Sequence, residues 1–98
     1  MPKKVYTKTG NSCRVTFTLP PEVKAKSIYV CGDFNDWSKK SHKMHKRKDG
    51  THYLVVYLDS GASYRYKFYL GNGKWENDWA AEAYEPNEFG EENCVITV

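Results

Sequence analysis

Three side chains in this sequence are suited to holding a polar ring. Trp37 ends the stretch Val30-Cys31-Gly32-Asp33-Phe34-Asn35-Asp36-Trp37-Ser38. Trp75 follows Gly71-Asn72-Gly73, and Lys67 sits inside Tyr64-Arg65-Tyr66-Lys67-Phe68. A sugar ring has apolar C–H faces and a rim of hydroxyls. Aromatic planes cover the faces, and a charged donor or an amide satisfies the rim. A hydrogen bond to a charged group contributes about 1.5–3 kcal/mol. Two tryptophans with one lysine and one asparagine therefore suffice for an α-glucan, at about −8 to −4 kcal/mol, or micromolar to millimolar. Each tryptophan has a competing role as a plug in a small core, and Trp79 reads as such a plug. A lone strand lysine is ordinarily just solvated.

Other chemistries are poorly served. Glycosidases use two carboxylates, but Asp33, Asp36 and the acids between Glu76 and Glu92 fall on turns and loops, where solvated surface charge is the plain reading. No nucleophile elbow, zinc-protease helix or phosphate loop is present. His42 and His45 are an odd number of positions apart, so a strand would point them to opposite faces. With Cys13, Cys31 and Cys94 far apart and odd in number, neither a metal site nor a disulfide framework is expected. No cofactor and no catalytic residue are expected.

These side chains need a frame that turns often. Gly32, the Asp and Asn residues and Ser38 all favour a turn, so a strand over 27–31 runs into a turn that lifts Trp37 off the sheet. Cys13 to Leu19 alternates, with Val15, Phe17 and Leu19 on one face, and Pro20-Pro21 stops it. Residues 42–48 suit a short edge strand whose lysines discourage edge pairing. After the Asp49-Gly50 turn, Leu54, Val56 and Leu58 share a face. In the strand over 63–70, Tyr64, Tyr66, Phe68 and Leu70 point one way, while Arg65, Lys67 and Tyr69 point the other. Residues 77–92 read as an acidic loop with one helical turn near Trp79–Glu82, and 94–98 as a closing strand. The expectation is an all-β, immunoglobulin-like sandwich of about six to eight antiparallel strands. A small barrel fits the same pattern. Residues 1–11 read as a flexible polar leader and 12–98 as the one domain.

The totals agree with one core. A chain of 98 residues buries about 60–65% of its unfolded surface. The net charge is only +3, yet lysines crowd 39–48 and acids crowd the last quarter. A dipolar chain argues against a nucleic-acid surface. It suggests instead that the basic run meets the acidic loop, within the fold or across a homodimer. No apolar run approaches the ~18 residues of a membrane helix, and Met-Pro-Lys-Lys-Val lacks the apolar stretch of a secretory signal. A cytoplasmic location is expected, with buried free thiols.

Four blocks, in order, resemble a known family. Val30-Cys31-Gly32-Asp33-Phe34-Asn35-Asp36-Trp37 resembles the G-x-F-N-x-W signature of the isoamylase N-terminal (early-set) domains, carbohydrate-binding module family 48. The glycogen-binding domain of the AMP-activated protein kinase β subunits is a close relative. Tyr64-Arg65-Tyr66-Lys67-Phe68 resembles the family's Y-x-Y-K-F strand. Asn72-Gly73-Lys74-Trp75 resembles its D-G-x-W hairpin, and Phe89-Gly90-Glu91-Glu92-Asn93-Cys94-Val95-Ile96 its closing L-G-x-x-N segment. The resemblance implies non-catalytic binding of glycogen, starch or maltooligosaccharides. It implies stacking by Trp37 and Trp75, hydrogen bonds from Lys67 and Asn93, and a Phe89 placed where kinase-type domains carry an inserting leucine. It also implies, as a competing role, an early-set domain that docks on a protein such as a glycan-active enzyme or a kinase. The position after Gly90, a threonine in those domains, is Glu91 here. The Trp75–Trp79 run resembles stand-alone bacterial early-set proteins.

Overall fold

The computed structural model describes residues 2–98. Nine strands form two antiparallel sheets, one more than the upper end of the expected range. The first sheet has the order β1 (Lys3–Tyr6), β2 (Ser12–Leu19), β5 (His52–Asp59), β4 (His45–Lys46). The second runs β3 (Tyr29–Gly32), β6 (Ser63–Gly71), β9 (Glu92–Thr97), β8 (Ala83–Pro86), and β7 (Lys74–Glu76) pairs with β6. The barrel alternative is set aside, because the two sheets face one another across one core as in a sandwich.

The alternation read from the sequence places that core. Cys13, Val15, Phe17 and Leu19 of β2 and Leu54, Val56 and Leu58 of β5 are buried from one sheet; Tyr66, Phe68, Cys94 and Ile96 are buried from the other. Phe17 reaches across to Tyr66 and Phe68, with ring centroids 4.7 and 6.5 Å away. Separations of this kind contribute about 0.5–1.5 kcal/mol per aromatic pair beyond area burial. The thiols of Cys13, Cys31 and Cys94 are free and buried. Burial pushes Cys31 and Cys94 up to about 11, which removes them as nucleophiles near neutrality.

Several expectations differ from the structure. Met1 lies outside the described residues, but Lys3–Tyr6 of the expected leader form β1, paired to β2 from Lys3↔Thr16 to Tyr6↔Cys13. Polar contacts hold this strand: Lys4 pairs with Glu82 and donates to the carbonyl of Thr97 at 3.0 Å. No hydrophobic period announces such contacts. The acidic stretch is not one loop, because Ala83–Pro86 pairs with β9 as an edge strand, a place where Pro86 costs no ladder bond. The expected helical turn at Trp79–Glu82 is an irregular turn.

Trp79 is not a plug; it is 58% exposed. Its neighbour Asp78 turns inward instead. Asp78 accepts from the Tyr66 hydroxyl at 2.8 Å and from Ala80 N at 3.0 Å, while the Trp79 indole donates to Glu76 at 3.1 Å. Among the described residues, the acidic segment draws its ion pairs from Lys4, Arg65 and Lys67. The basic run over 39–48 supplies none of them, so the expected pairing of that run with the acidic loop within the fold does not form.

Candidate functional site

The site lies on the outer face of the second sheet and is assembled from three connections and the strands beside them. The first is the turn after β3. Residues Asp33–Asn35 form one turn of 3-10 helix, and the chain then passes through the left-handed region at Asp36 (φ 53°) and Trp37 (φ 57°). Two non-glycine residues there cost about 1–2 kcal/mol each, so the surroundings must hold them. Trp37 N donates to Gly32 O at 2.9 Å, and the Trp37 indole donates to Asp33 Oδ1 at 3.1 Å. Asp33 Oδ2 accepts from both the backbone N and the Nε of Arg65, at 2.9 and 3.1 Å. Asn35 closes the turn from within: its Oδ1 accepts from Gly32 N at 3.0 Å and its Nδ2 donates to Val30 O at 2.9 Å. Phe34 packs on the core, 6.0 Å from Phe17.

Asp33 experiences opposing effects. Burial disfavours its charge, but the hydrogen bonds from Arg65 and Trp37 together outweigh burial and hold its carboxyl below the usual aspartate value. The Asp33–Arg65 pair thus fixes Trp37 to the sheet.

The second connection is the β6–β7 hairpin. Asn72 and Gly73 take positive φ, 52° and 74°, as a two-residue hairpin of this twist requires. Trp75 returns opposite Tyr69 and rests on its ring at 4.8 Å, 36% exposed. Lys39 reaches over from the segment after Trp37, further along the first connection, and its Nζ stands 4.9 Å from the Tyr69 ring and 5.6 Å from the Trp75 ring.

The strands supply the floor. Tyr66 pairs with Cys94, which sets Lys67 of β6 beside Asn93 of β9 on the outward face. Lys67 is buried for a surface lysine, because the 87–91 loop folds over it; its Nζ donates to Glu91 Oε1 at 3.0 Å. That loop, joining β8 to β9, is the third connection. Asn87 organises it: Oδ1 accepts from Phe89 N at 3.0 Å and Glu91 N at 3.1 Å, and Nδ2 donates to Asn93 Oδ1 at 3.2 Å. Phe89 stands at the tip, 80% exposed.

Trp37, Lys67, Trp75, Phe89 and Asn93 all line one open groove of about 940 Å³, a size typical of small-molecule sites. Lys39, Arg65, Asn87 and Glu91 line it as well, and reading the sequence for binding residues missed them. Strand parity had already set Arg65 on the same face as Lys67, but no residue-type signal marked it for a ligand. An Asn two residues before Phe89 is an Asx-turn signal that would have found Asn87. The groove's charges balance, with Lys39, Arg65 and Lys67 against Asp33, Glu88 and Glu91. Such a surface suits a neutral, hydroxyl-rich ligand better than a polyanion.

Known proteins carry related sequences. The chain is similar to the 1,4-alpha-glucan branching enzyme GlgB of Aquifex aeolicus (strain VF5), 34% identical over 82 residues, which is 76% of this chain and 13% of that enzyme. It is also similar to the 1,4-alpha-glucan branching enzyme GlgB of Mesorhizobium japonicum, 43% identical over 44 residues, 45% of this chain and 6% of that enzyme. The chain thus spans a small fraction of the length of the curated relatives it matches. The family model described as the glycogen recognition site of AMP-activated protein kinase matches residues 8–98. That match takes in every element from β2 to β9 and all three connections that build the groove, and this chain therefore belongs to the family of that glycogen recognition site.

Proposed function

We propose that this chain binds an α-1,4-glucan, such as glycogen, starch or a maltooligosaccharide, on a platform of Trp37 and Trp75, without catalysing a reaction on it. Lys67 and Asn93 hydrogen-bond the hydroxyl rim, and Phe89 flanks the ligand from the loop tip. One observation carries this reading: residues from the β3–β4 connection, the β8–β9 loop and the strands β6, β7 and β9, 56 positions apart in the chain between Trp37 and Asn93, line a single groove. The chemistry fits the ligand. Tyr69 packs tilted against the Trp75 indole at 4.8 Å and holds it at the groove. Asn93 spends its oxygen on Asn87, which orients its amide N–H groups for hydroxyl acceptors. The balanced charge suits a neutral polymer.

Titration of intrinsic tryptophan fluorescence with maltoheptaose tests the reading. A saturable change at micromolar to millimolar ligand is expected, with retardation in glycogen-containing native gels. Trp37→Ala and Trp75→Ala should each weaken binding about tenfold or more, as for aromatic anchors elsewhere, and leave the fold intact. No spectral change and no retardation at millimolar ligand would sink the proposal.

A further inference from the structure

Resting on that glucan reading, we infer that Glu91 is itself a sugar-binding residue, and that the Lys67–Glu91 pair reads two adjacent hydroxyls of one glucose unit. The argument begins with which groove atoms are free. A sugar hydroxyl donates one hydrogen bond as well as accepting, so a site needs acceptors as much as donors. Most acceptors in this groove are already used. Asp33 takes the Trp37 indole on Oδ1 and Arg65 on Oδ2. Asn93 Oδ1 takes Asn87, and Asn87 Oδ1 takes Phe89 N and Glu91 N. Donors are plentiful by contrast, from Lys39, Arg65, Lys67 and the Asn93 amide.

Glu91 supplies an acceptor directly beside Lys67. Its Oε1 takes Lys67 at 3.0 Å, while its Oε2 has no hydrogen-bond partner among the described residues and its side chain is 64% exposed. Glu88 also lines the groove but makes no bond to Lys67 among the described residues. The Lys67 ammonium carries three donors, of which Glu91 uses one. A free carboxylate oxygen and a free ammonium proton are thus held side by side by the ion pair that joins them. Neighbouring hydroxyls on a pyranose ring lie about a hydrogen-bond length apart, roughly 3 Å. Within an α-1,4-linked chain, the adjacent free pair on each internal unit is the one at C2 and C3. One of these hydroxyls donates to Glu91, and the other accepts from Lys67. Glu91 is the exposed member of the pair, 64% against 9% for the Lys67 side chain, so its carboxylate can turn to admit the diol while Lys67 stays in place.

Isothermal titration of the intact chain with maltoheptaose tests this, using Glu91→Gln and Glu91→Ala beside the wild type. Glutamine keeps the length and a carbonyl for Lys67 but removes the charged acceptor. Both variants should raise the dissociation constant about tenfold, the loss of one charge-assisted hydrogen bond at a partly exposed site, with an unchanged melting temperature. A crystal structure of the complex should place a C2 or C3 hydroxyl within about 3 Å of Glu91. Variants that bind as tightly as the wild type, or more tightly, would overturn the inference, because Glu91 would then be a bystander or a competitor for Lys67. A wild type that gives no binding heat and is not retained by glycogen would instead overturn the glucan reading beneath it.

Discussion

At the scale of single residues, the site depends on polar side chains that orient the aromatic ones. Asp33 shows this most directly: one carboxylate ties the Trp37 indole to the backbone and guanidinium of Arg65. Its folded pKa is lowered relative to an unfolded value of about 3.9. A lowered value means that the folded state favours the charged form. The stabilisation is therefore fully present above the unfolded pKa, and it is lost as pH falls through the lower folded value. The stability difference between wild type and Asp33→Asn, measured by urea unfolding followed by tryptophan fluorescence, should be largest at neutral pH and shrink below pH ~4. A difference that stays constant from pH 7 to pH 3 would remove Asp33 as the anchor. The tryptophans stood out in the sequence because a large aromatic is unusual on a turn, and Lys67 because the Tyr64-Arg65-Tyr66-Lys67-Phe68 block resembles the family's strand. Asp33 and Asn87 did not, because their work is local hydrogen bonding, and any turn contains residues of the same types.

At the scale of elements, the close approach of the β3 turn to β6 sets where Trp37 stands. A Cβ added to Gly32 would lie 2.5 Å from Arg65 O, 2.8 Å from the Phe34 ring and 3.0 Å from the Tyr66 Cβ. The backbone at Gly32 is extended (φ −171°), so the constraint is space rather than conformation. Gly32→Ala should destabilise the fold by about 1–3 kcal/mol, as overpacking does, and should weaken glucan binding because the turn must back away from Arg65. Chemical denaturation and maltoheptaose titration of this variant check both effects. The core strands β2 and β5 were legible in the sequence because each alternates across two environments, one buried and one wet, and β6 was legible from its alternating residue types although Lys67 is buried on its outer face. The strands β1 and β8 were not legible. They lie at the sheet edges and are mostly exposed on both faces, so pairing and salt contacts, not a hydrophobic period, place them. The acidic stretch misled for the same reason: its charges serve as partners for Lys4, Arg65 and Lys67, and composition alone reads such charges as solvated loop.

At the scale of the whole molecule, the core and the groove use opposite faces of one sheet, since Tyr66 and Phe68 point into the sandwich while Lys67 between them points out. The family pattern made this arrangement readable block by block, whereas the groove's charge balance emerges only when the β8–β9 loop folds over β6. That balance leads to a prediction about ionic strength. The chain carries a net charge of +3, but the groove sets three cations against three anions, and most of them are paired at short range. A neutral glucan entering such a groove displaces no condensed counterions. Its affinity should therefore change less than about twofold between 50 mM and 500 mM salt, where the Debye length falls from roughly 14 to 4 Å. A polyanion gripping Lys39, Arg65 and Lys67 would behave differently, losing affinity steeply with a slope set by the number of phosphates neutralised. Fluorescence titration with maltoheptaose across that salt range separates the two: a flat dependence supports a neutral hydroxyl-rich ligand, and a steep one would mean that the cations rather than the tryptophans hold it.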